Sequence, residues 1–268
     1  MISTDKKKYA IGVFDSGLGG LTVVKELIKQ LPNEHIVYFG DTARVPYGTK
    51  SKESIIRFSK ENVSFLLKHK VKMIVVACNS SSSLALPVLR RSFSLPIVGV
   101  IEPGAKKACV MTRNKKIGVI ATSATIQSQK YVQVIKKILK KTIVKSQACP
   151  LFVPLAEEGW FVDRITRDIA KKYLSVMIQS KIDTLILGCT HYPLLKNAIG
   201  SVMGKKVFLV DSAREVASEV REVLKRVNLE NKSSFKGRHQ FFVSDKPQHF
   251  RDLAKRFLGY SIKNVRKV

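Results

Sequence analysis

Seven runs of apolar residues recur along the chain, and each is cut off by a polar residue or a cysteine. AIGVF (10–14) ends at Asp15, HIVYFG (35–40) at Asp41, KMIVVA (72–77) at Cys78 and PIVGVI (96–101) at Glu102. KIGVIA (116–121) ends at Thr122, TLILG (184–188) at Cys189 and VFLV (207–210) at Asp211. The runs are apolar throughout instead of alternating, which is the pattern of strands covered on both faces. The segments between them have helical spacing. In SKESIIRFSKENVSFLLKHK (51–70), Ile55, Phe58, Val63 and Leu66 fall close to one side. Strand and helix in alternation predict an α/β fold with mostly parallel sheets. Ligands of such sheets bind outside the carboxyl ends of the strands, and Asp15, Asp41, Cys78, Thr122 and Cys189 all fall there.

One device occurs twice. VVACNS and LILGCTH each read as an apolar strand, a small residue, a cysteine and a hydrogen-bonding residue, with the two cysteines 111 positions apart. The echo predicts two similar α/β domains, each presenting a thiol to a cleft between them, with the active site in that cleft. The expected division is residues 1–100 plus 211–268 for a discontinuous first lobe and 101–210 for the second.

Composition narrows the function classes. The chain has 268 residues, 45% hydrophobic and 25% charged, enough for a substantial core. Its 48 Lys+Arg against 20 Asp+Glu give +28, which raises nucleic acid, membrane surfaces and anionic small molecules as partners. Residues 101–210 hold 19 of the basic and 6 of the acidic side chains, so the excess is spread and not gathered into an arm. KKK at 6–8 and IKKILKK at 135–141 read as solvated faces, and nucleic acid is not expected as a primary partner. Four cysteines without a CxxC pair exclude a thioredoxin-type motif and the common zinc frameworks, so no metal is expected. AIGVF is too short for a signal-peptide core, and no run approaches the roughly 18 apolar residues of a membrane span. A cytoplasmic protein with reduced thiols and no membrane partner is the expectation.

The glycine-rich DSGLGGLTV (15–23) opens a helix directly after a strand. A dinucleotide fingerprint is a poor match, since GLGG is not GxGxxG and the acidic ribose anchor would have to be Glu34 or His35, neither at a strand end. A tight turn with close helix packing, or a small carboxylate held by its backbone N–H groups and Ser16, suits it better. Cys109 and Cys149 lie beside apolar residues and read as structural, and Asp211 in DSAREVA reads as a helix N-cap.

Six motifs, FDSGLGG, YFGDTARVPYG, VACNSSS, GVIEPG, CPLFVPLAE and GCTHYPL, occur in the order and at the spacing of the bacterial glutamate racemases, which the chain resembles from Ile11 to about Ala213. One departure is visible: the family usually has Asn-Thr-Ala-Ser after the first cysteine, where this chain has Asn79-Ser80-Ser81-Ser82. The resemblance implies cofactor-independent interconversion of L- and D-glutamate, supplying D-glutamate for peptidoglycan, by a homodimer. It implies Cys78 and Cys189 as catalytic bases on opposite faces of the substrate. It places Asp15 and Asp41 near the first thiol, and Glu157 (not the adjacent Glu158) with His191 at the second. Asp15-Ser16, Tyr47-Gly48, Asn79-Ser80 and Thr190-His191 match its substrate-binding pairs, with Thr122 a further expected contact.

The chemistry of the residues agrees. Racemisation without a cofactor removes an α-proton from one face and returns one to the other, which needs two positioned acid–base groups. A free thiol with a pKa near 8.5 is only roughly 3% thiolate at pH 7. Raising that to half takes a shift of about 1.5 units, or about 2 kcal/mol. A neighbouring imidazolium and helix-start amides can supply that much, which gives His191 a task beside Cys189. Three other readings stay open: an aspartate racemase of the same fold, a cysteine hydrolase or amidase with His191 as base, and a nucleic-acid-binding protein.

Overall fold

The computed structural model describes residues 4–268. Its strands are β1 (Ala10–Asp15), β2 (Ile36–Gly40), β3 (Val71–Val76), β4 (Ile97–Gly99), β5 (Lys116–Ala121), β6 (Ile143–Ala148), β7 (Thr184–Gly188), β8 (Phe208–Asp211), β9 (His239–Val243) and β10 (Val265–Lys267). They form two sheets, β10-β9-β2-β1-β3-β4 and β6-β5-β7-β8, and every pairing is parallel. All seven apolar runs form strands. The run PIVGVI stops pairing early, because β4 ends at Gly99 and Ile101 already begins the helix Ile101–Met111.

The first sheet draws on residues before Gly99 and after His239, so the chain leaves that lobe and returns to it. Two helices make the crossings. Ile101–Met111 follows β4, and Ser212–Arg226 follows β8, starting where Asp211 accepts a hydrogen bond from the Ala213 N–H at 2.9 Å. Ile101, Ala105 and Ala108 on one helix and Ala213, Val216, Val220 and Leu224 on the other share a single buried core with β1 and β3 residues and with Ile117, Val119 and Ile186. The two sheets therefore rest on common packing on one side, and their strand ends meet on the other.

The three strands without an apolar run are β6, β9 and β10. β6 is an edge strand of the second sheet and β10 of the first, and the side chains of both are half-buried or exposed, so neither carries a continuous apolar run. β9 buries Phe241, Phe242 and Val243 beside β2 but begins with His239 and Gln240.

One buried ion pair ties the amino-terminal ends of the first sheet together. Lys72 Nζ lies 2.5 Å from Glu34 Oε2 with both side chains almost fully enclosed. Lys72 also donates to the Lys7 carbonyl at 2.7 Å, and Glu34 Oε1 accepts from the Asn231 N–H at 2.8 Å. Glu34 is thus committed to a structural role. Burial pulls the Lys72 pKa below the usual lysine range, against the attraction of Glu34. Replacing Glu34 by Gln keeps the shape and leaves a buried ammonium without its counter-charge, which costs about 3–5 kcal/mol. Urea unfolding should show that loss at pH 7 and a smaller one as the pH is raised through the lowered Lys72 pKa, where the buried ammonium sheds its proton.

Candidate active site

Cys78 follows the buried run of β3 and occupies the N-cap position of the helix Asn79–Leu84; Cys189 follows β7. Both thiols are buried, and both line one cavity of about 30 Å³. Ser16, Tyr47, Gly48, Asn79 and Ser80 reach that cavity from the first sheet's side, and Thr122, Thr190 and His191 from the second. Val45, Pro46 and Val153 complete the wall. Asp15, Asp41 and Glu157 stand behind this lining: Asp41 acts on it through Tyr47, Glu157 through His191, and Asp15 by its charge beside Cys78.

The glycine turn explains how the two walls approach so closely. A Cβ on Gly19 would lie 2.2 Å from Thr190 Oγ1 and 2.6 Å from the His191 ring, and one on Gly48 would lie 2.7 Å from the Thr122 Cβ. Thr22 Oγ1, one turn on, donates to the Thr190 carbonyl at 3.1 Å. The amides of this turn face a carboxylate of the chain itself: Gly17 N–H donates to Asp15 Oδ2 at 3.1 Å, and the Ser16 and Gly20 amides also favour the ionised Asp15. The close-packing reading of DSGLGG therefore holds, and the turn's carboxylate is Asp15. Burial raises the Asp15 pKa against these amides and the His191 charge.

Asp41 anchors Tyr47. Its Oδ2 accepts from the Tyr47 hydroxyl and, at 2.7 Å, from Arg44 Nε; its Oδ1 accepts from Ser244 Oγ at 2.9 Å. Asn62 Nδ2 donates to the Tyr47 hydroxyl at 3.1 Å. Tyr47 is thereby held against the cavity with its hydroxyl fully engaged, and burial beside Asp41 pushes its pKa far above the usual phenol range. The expectation that Asp41 sits near the first thiol is met only through Tyr47.

The surroundings of the two thiols differ. Burial, and then the Asp15 carboxylate, push the Cys78 thiol up to about 12; the Ser81 N–H and the hydroxyls of Ser16 and Ser81 pull the other way. Cys189 Sγ lies 3.8 Å from His191 Nδ1, and His191 Nε2 lies 3.0 Å from Glu157 Oε1. Burial opposes a charge on His191, but hydrogen bonds to Cys189 and Glu157 and the charges of both outweigh it, and its pKa is pushed up to about 10. The imidazolium is the positive partner that a thiolate at Cys189 requires. Glu158 makes no such contact with His191, so the geometry selects Glu157 of the pair.

The remaining polar groups form a bonded rim. Ser80 Oγ and Thr122 Oγ1 pair across the cleft at 3.0 Å. Tyr131 donates to Asn79 Oδ1 at 2.9 Å and lies 3.1 Å from Ser212 Oγ. Ser81, where the resembled family has Ala, accepts from the equally buried Ser59 at 3.0 Å, so the extra hydroxyl is satisfied. Sequence reasoning missed Tyr131, Ser59 and Asn62, which sit inside ordinary helical patterns. It also passed over Val45 and Pro46, although both lie within a quoted motif.

Two parallel α/β units that close on a pair of buried cysteines, one backed by a His–Glu pair, place the chain in the class of the amino-acid racemases. Residues 11–220 match the family described as Asp/Glu/Hydantoin racemase, and the chain belongs to that family. It is 52% identical over 259 residues to a glutamate racemase of Geobacter metallireducens, covering 97% of this chain and 96% of that one. Its fold superposes with a TM-score of 0.92 on a glutamate racemase of Bacillus anthracis, at 40% identity and 98% coverage of both chains. A Francisella tularensis glutamate racemase solved with D-glutamate gives 0.91 at 38% identity, again with 98% of both chains covered.

Two outcomes follow from this geometry. Gly19→Ala should lower stability by about 1–3 kcal/mol through overpacking, read as a lower urea midpoint. The second concerns pH. His191 binds its proton more tightly in the folded chain, at about 10 against an ordinary 6.5, so its contribution is complete below 6.5 and vanishes as pH rises through 10. The melting-temperature gap between wild type and His191→Asn should therefore narrow from pH 7 to 10; a constant gap would mean an uncharged ring.

Proposed function

We propose that the protein interconverts L- and D-glutamate by two-base proton transfer between Cys78 and Cys189, without a cofactor. The observation that carries this reading is that both cysteines line one enclosed cavity, reached from opposite sheets. The choice of glutamate is supported by the relatives, which are glutamate racemases over nearly their full length.

In this mechanism the thiolate on one wall removes the α-proton and the thiol on the other returns one to the opposite face. Cys189, beside the His191 imidazolium, is the base toward L-glutamate, and Cys78 is the thiol that protonates from the far side. In the reverse direction Cys78 must ionise beside Asp15. The substrate ammonium entering that side offsets the burial and the carboxylate that hold the thiol protonated. Asn79, Ser80, Thr122 and Thr190 offer donors for the two carboxylates, and Tyr47, its hydroxyl already taken, walls the cavity. A cavity of about 30 Å³ holds little more than a water molecule, so the lobes must part to admit glutamate and close to exclude solvent. The enzyme works in the cytoplasm as a homodimer and supplies D-glutamate for peptidoglycan.

One observation favours a second reading. Cys189, His191 and Glu157 stand in the order nucleophile, base and orienter, as in a cysteine hydrolase or amidase. Such an enzyme has no use for Cys78 on the facing wall, and it would release ammonia from glutamine.

Circular dichroism of purified protein should show L-glutamate losing optical activity, L-aspartate not, with no added cofactor and no effect of chelator. Ammonia release from glutamine without racemisation would establish the hydrolase instead. In D₂O, D-glutamate formed early should carry deuterium at Cα while unreacted L-glutamate stays protiated. Cys78→Ser or Cys189→Ser should each lower racemisation by about 10² to 10⁴. Near-normal turnover of Cys78→Ser in both directions would rule out two bases.

A further inference from the structure

We propose that the helix Pro247–Leu258, which packs on the first lobe, is the positioning element for the Cys189–His191–Glu157 chain of the second, acting through Arg256 and Phe257; this rests on the racemase reading above. The two residues are consecutive, and each holds a different member of that chain. Arg256 Nη1 donates to the main-chain carbonyl of Glu157. That carbonyl lies in the last turn of the helix Phe152–Glu158, where carbonyls lack partners within the helix. Gly159 ends the helix at φ +83°, and a Cβ there would sit 3.2 Å from Arg256 Cζ, so the guanidinium lies over bare backbone. Phe257 is buried, and its ring stands at 90° to the His191 ring with centroids 5.5 Å apart.

The chain needs such a hold at its outer end. His191 is enclosed, but the Glu157 side chain is 32% exposed and borders a 190 Å³ cavity that Lys246 and His249, from the start of the same first-lobe helix, also line. A carboxylate with that freedom keeps its hydrogen bond to His191 Nε2 only if its backbone is fixed. The charged and titratable groups facing the pair are Cys189 and Asp15 on the inner side and Lys246, His249 and Arg256 on the outer. Neither Arg256 nor Phe257 lines the cavity between the thiols, so they act on the proton chain and not on substrate binding. Because the hold crosses from one lobe to the other, the relay is complete only when the lobes are closed.

The test compares Arg256→Ala, Arg256→Lys and Phe257→Leu in the full chain by NMR titration of the His191 imidazole and by steady-state racemisation. Loss of the Arg256 charge alone would raise the His191 midpoint, so a fall of about one unit in Arg256→Ala, with kcat down about tenfold and KM unchanged, reads the lost hold on Glu157. Arg256→Lys, which keeps a cation at the carbonyl, should restore most of both. Phe257→Leu should shift the His191 midpoint in the same direction. A folded Arg256→Ala protein with a wild-type His191 titration would overturn the proposal, even if its melting temperature fell. If the wild type racemises no glutamate, the racemase reading fails while the NMR arm still decides the positioning role.

Discussion

Two sulfur atoms enclosed in one small cavity set the constraint on which the rest of the site depends. An ionised thiol removed from water needs a positive or hydrogen-bonding partner in place of its hydration. The chain meets that need unequally. Cys189 has an imidazolium whose charge is held by hydrogen bonds to Cys189 itself and to Glu157. Cys78 has only hydroxyls and a helix-start amide, with a carboxylate working against it. The surroundings therefore favour the protonated form of Cys78 and the protonated form of His191.

Holding two such groups in opposition demands two rigid frames and little between them. Each thiol follows directly from a parallel strand buried on both faces, so its backbone is fixed by a ladder on either side. The glycines then do what no other residue could. Gly19 and Gly48 let backbone from the first lobe approach Thr190, His191 and Thr122 to distances that a methyl group would prevent. The two crossing helices hold the side away from the cleft, where their shared apolar core ties the two lobes together.

What the sequence made legible follows the same physics. The seven strands read from continuous apolar runs are those flanked by packed layers, and the two cysteines stood out because each ended such a run. Asp211 was readable as a cap because capping is local, resting on the amide two residues on. β6 and β10 were not legible, since an edge strand facing solvent carries no continuous apolar signal. Tyr131, Arg256 and Phe257 were invisible for a different reason. Each touches the site from a helix whose periodicity explains the residue without it, and only the tertiary fold brings Phe257 to the His191 ring across a separation of 66 positions. The role of Asp41 lay between these cases: its position at a strand end was plain, but its action through Tyr47 depends on the loop between them.

The scarcity of acids gives the charge of +28 a clearer meaning than its sign alone. Several of the 20 acidic side chains occupy nodes. Asp15 accepts from the glycine turn, Asp41 from Tyr47 and Arg44, and Glu34 pairs with Lys72. Asp183 accepts from Thr112 and from the Arg113 and Asn114 amides, Asp211 caps a helix, and Glu157 holds His191. Negative charge is spent inside on matched partners, while most lysines and arginines remain solvated. The long-range field around the molecule is therefore positive, and the carboxylates near the cleft are locally compensated. A small dicarboxylate is drawn toward such a surface, and at the cavity it meets carboxylates already bonded to the chain. The same field attracts polyanions without regard to shape, so only the geometry between the two thiols can give it a specific use.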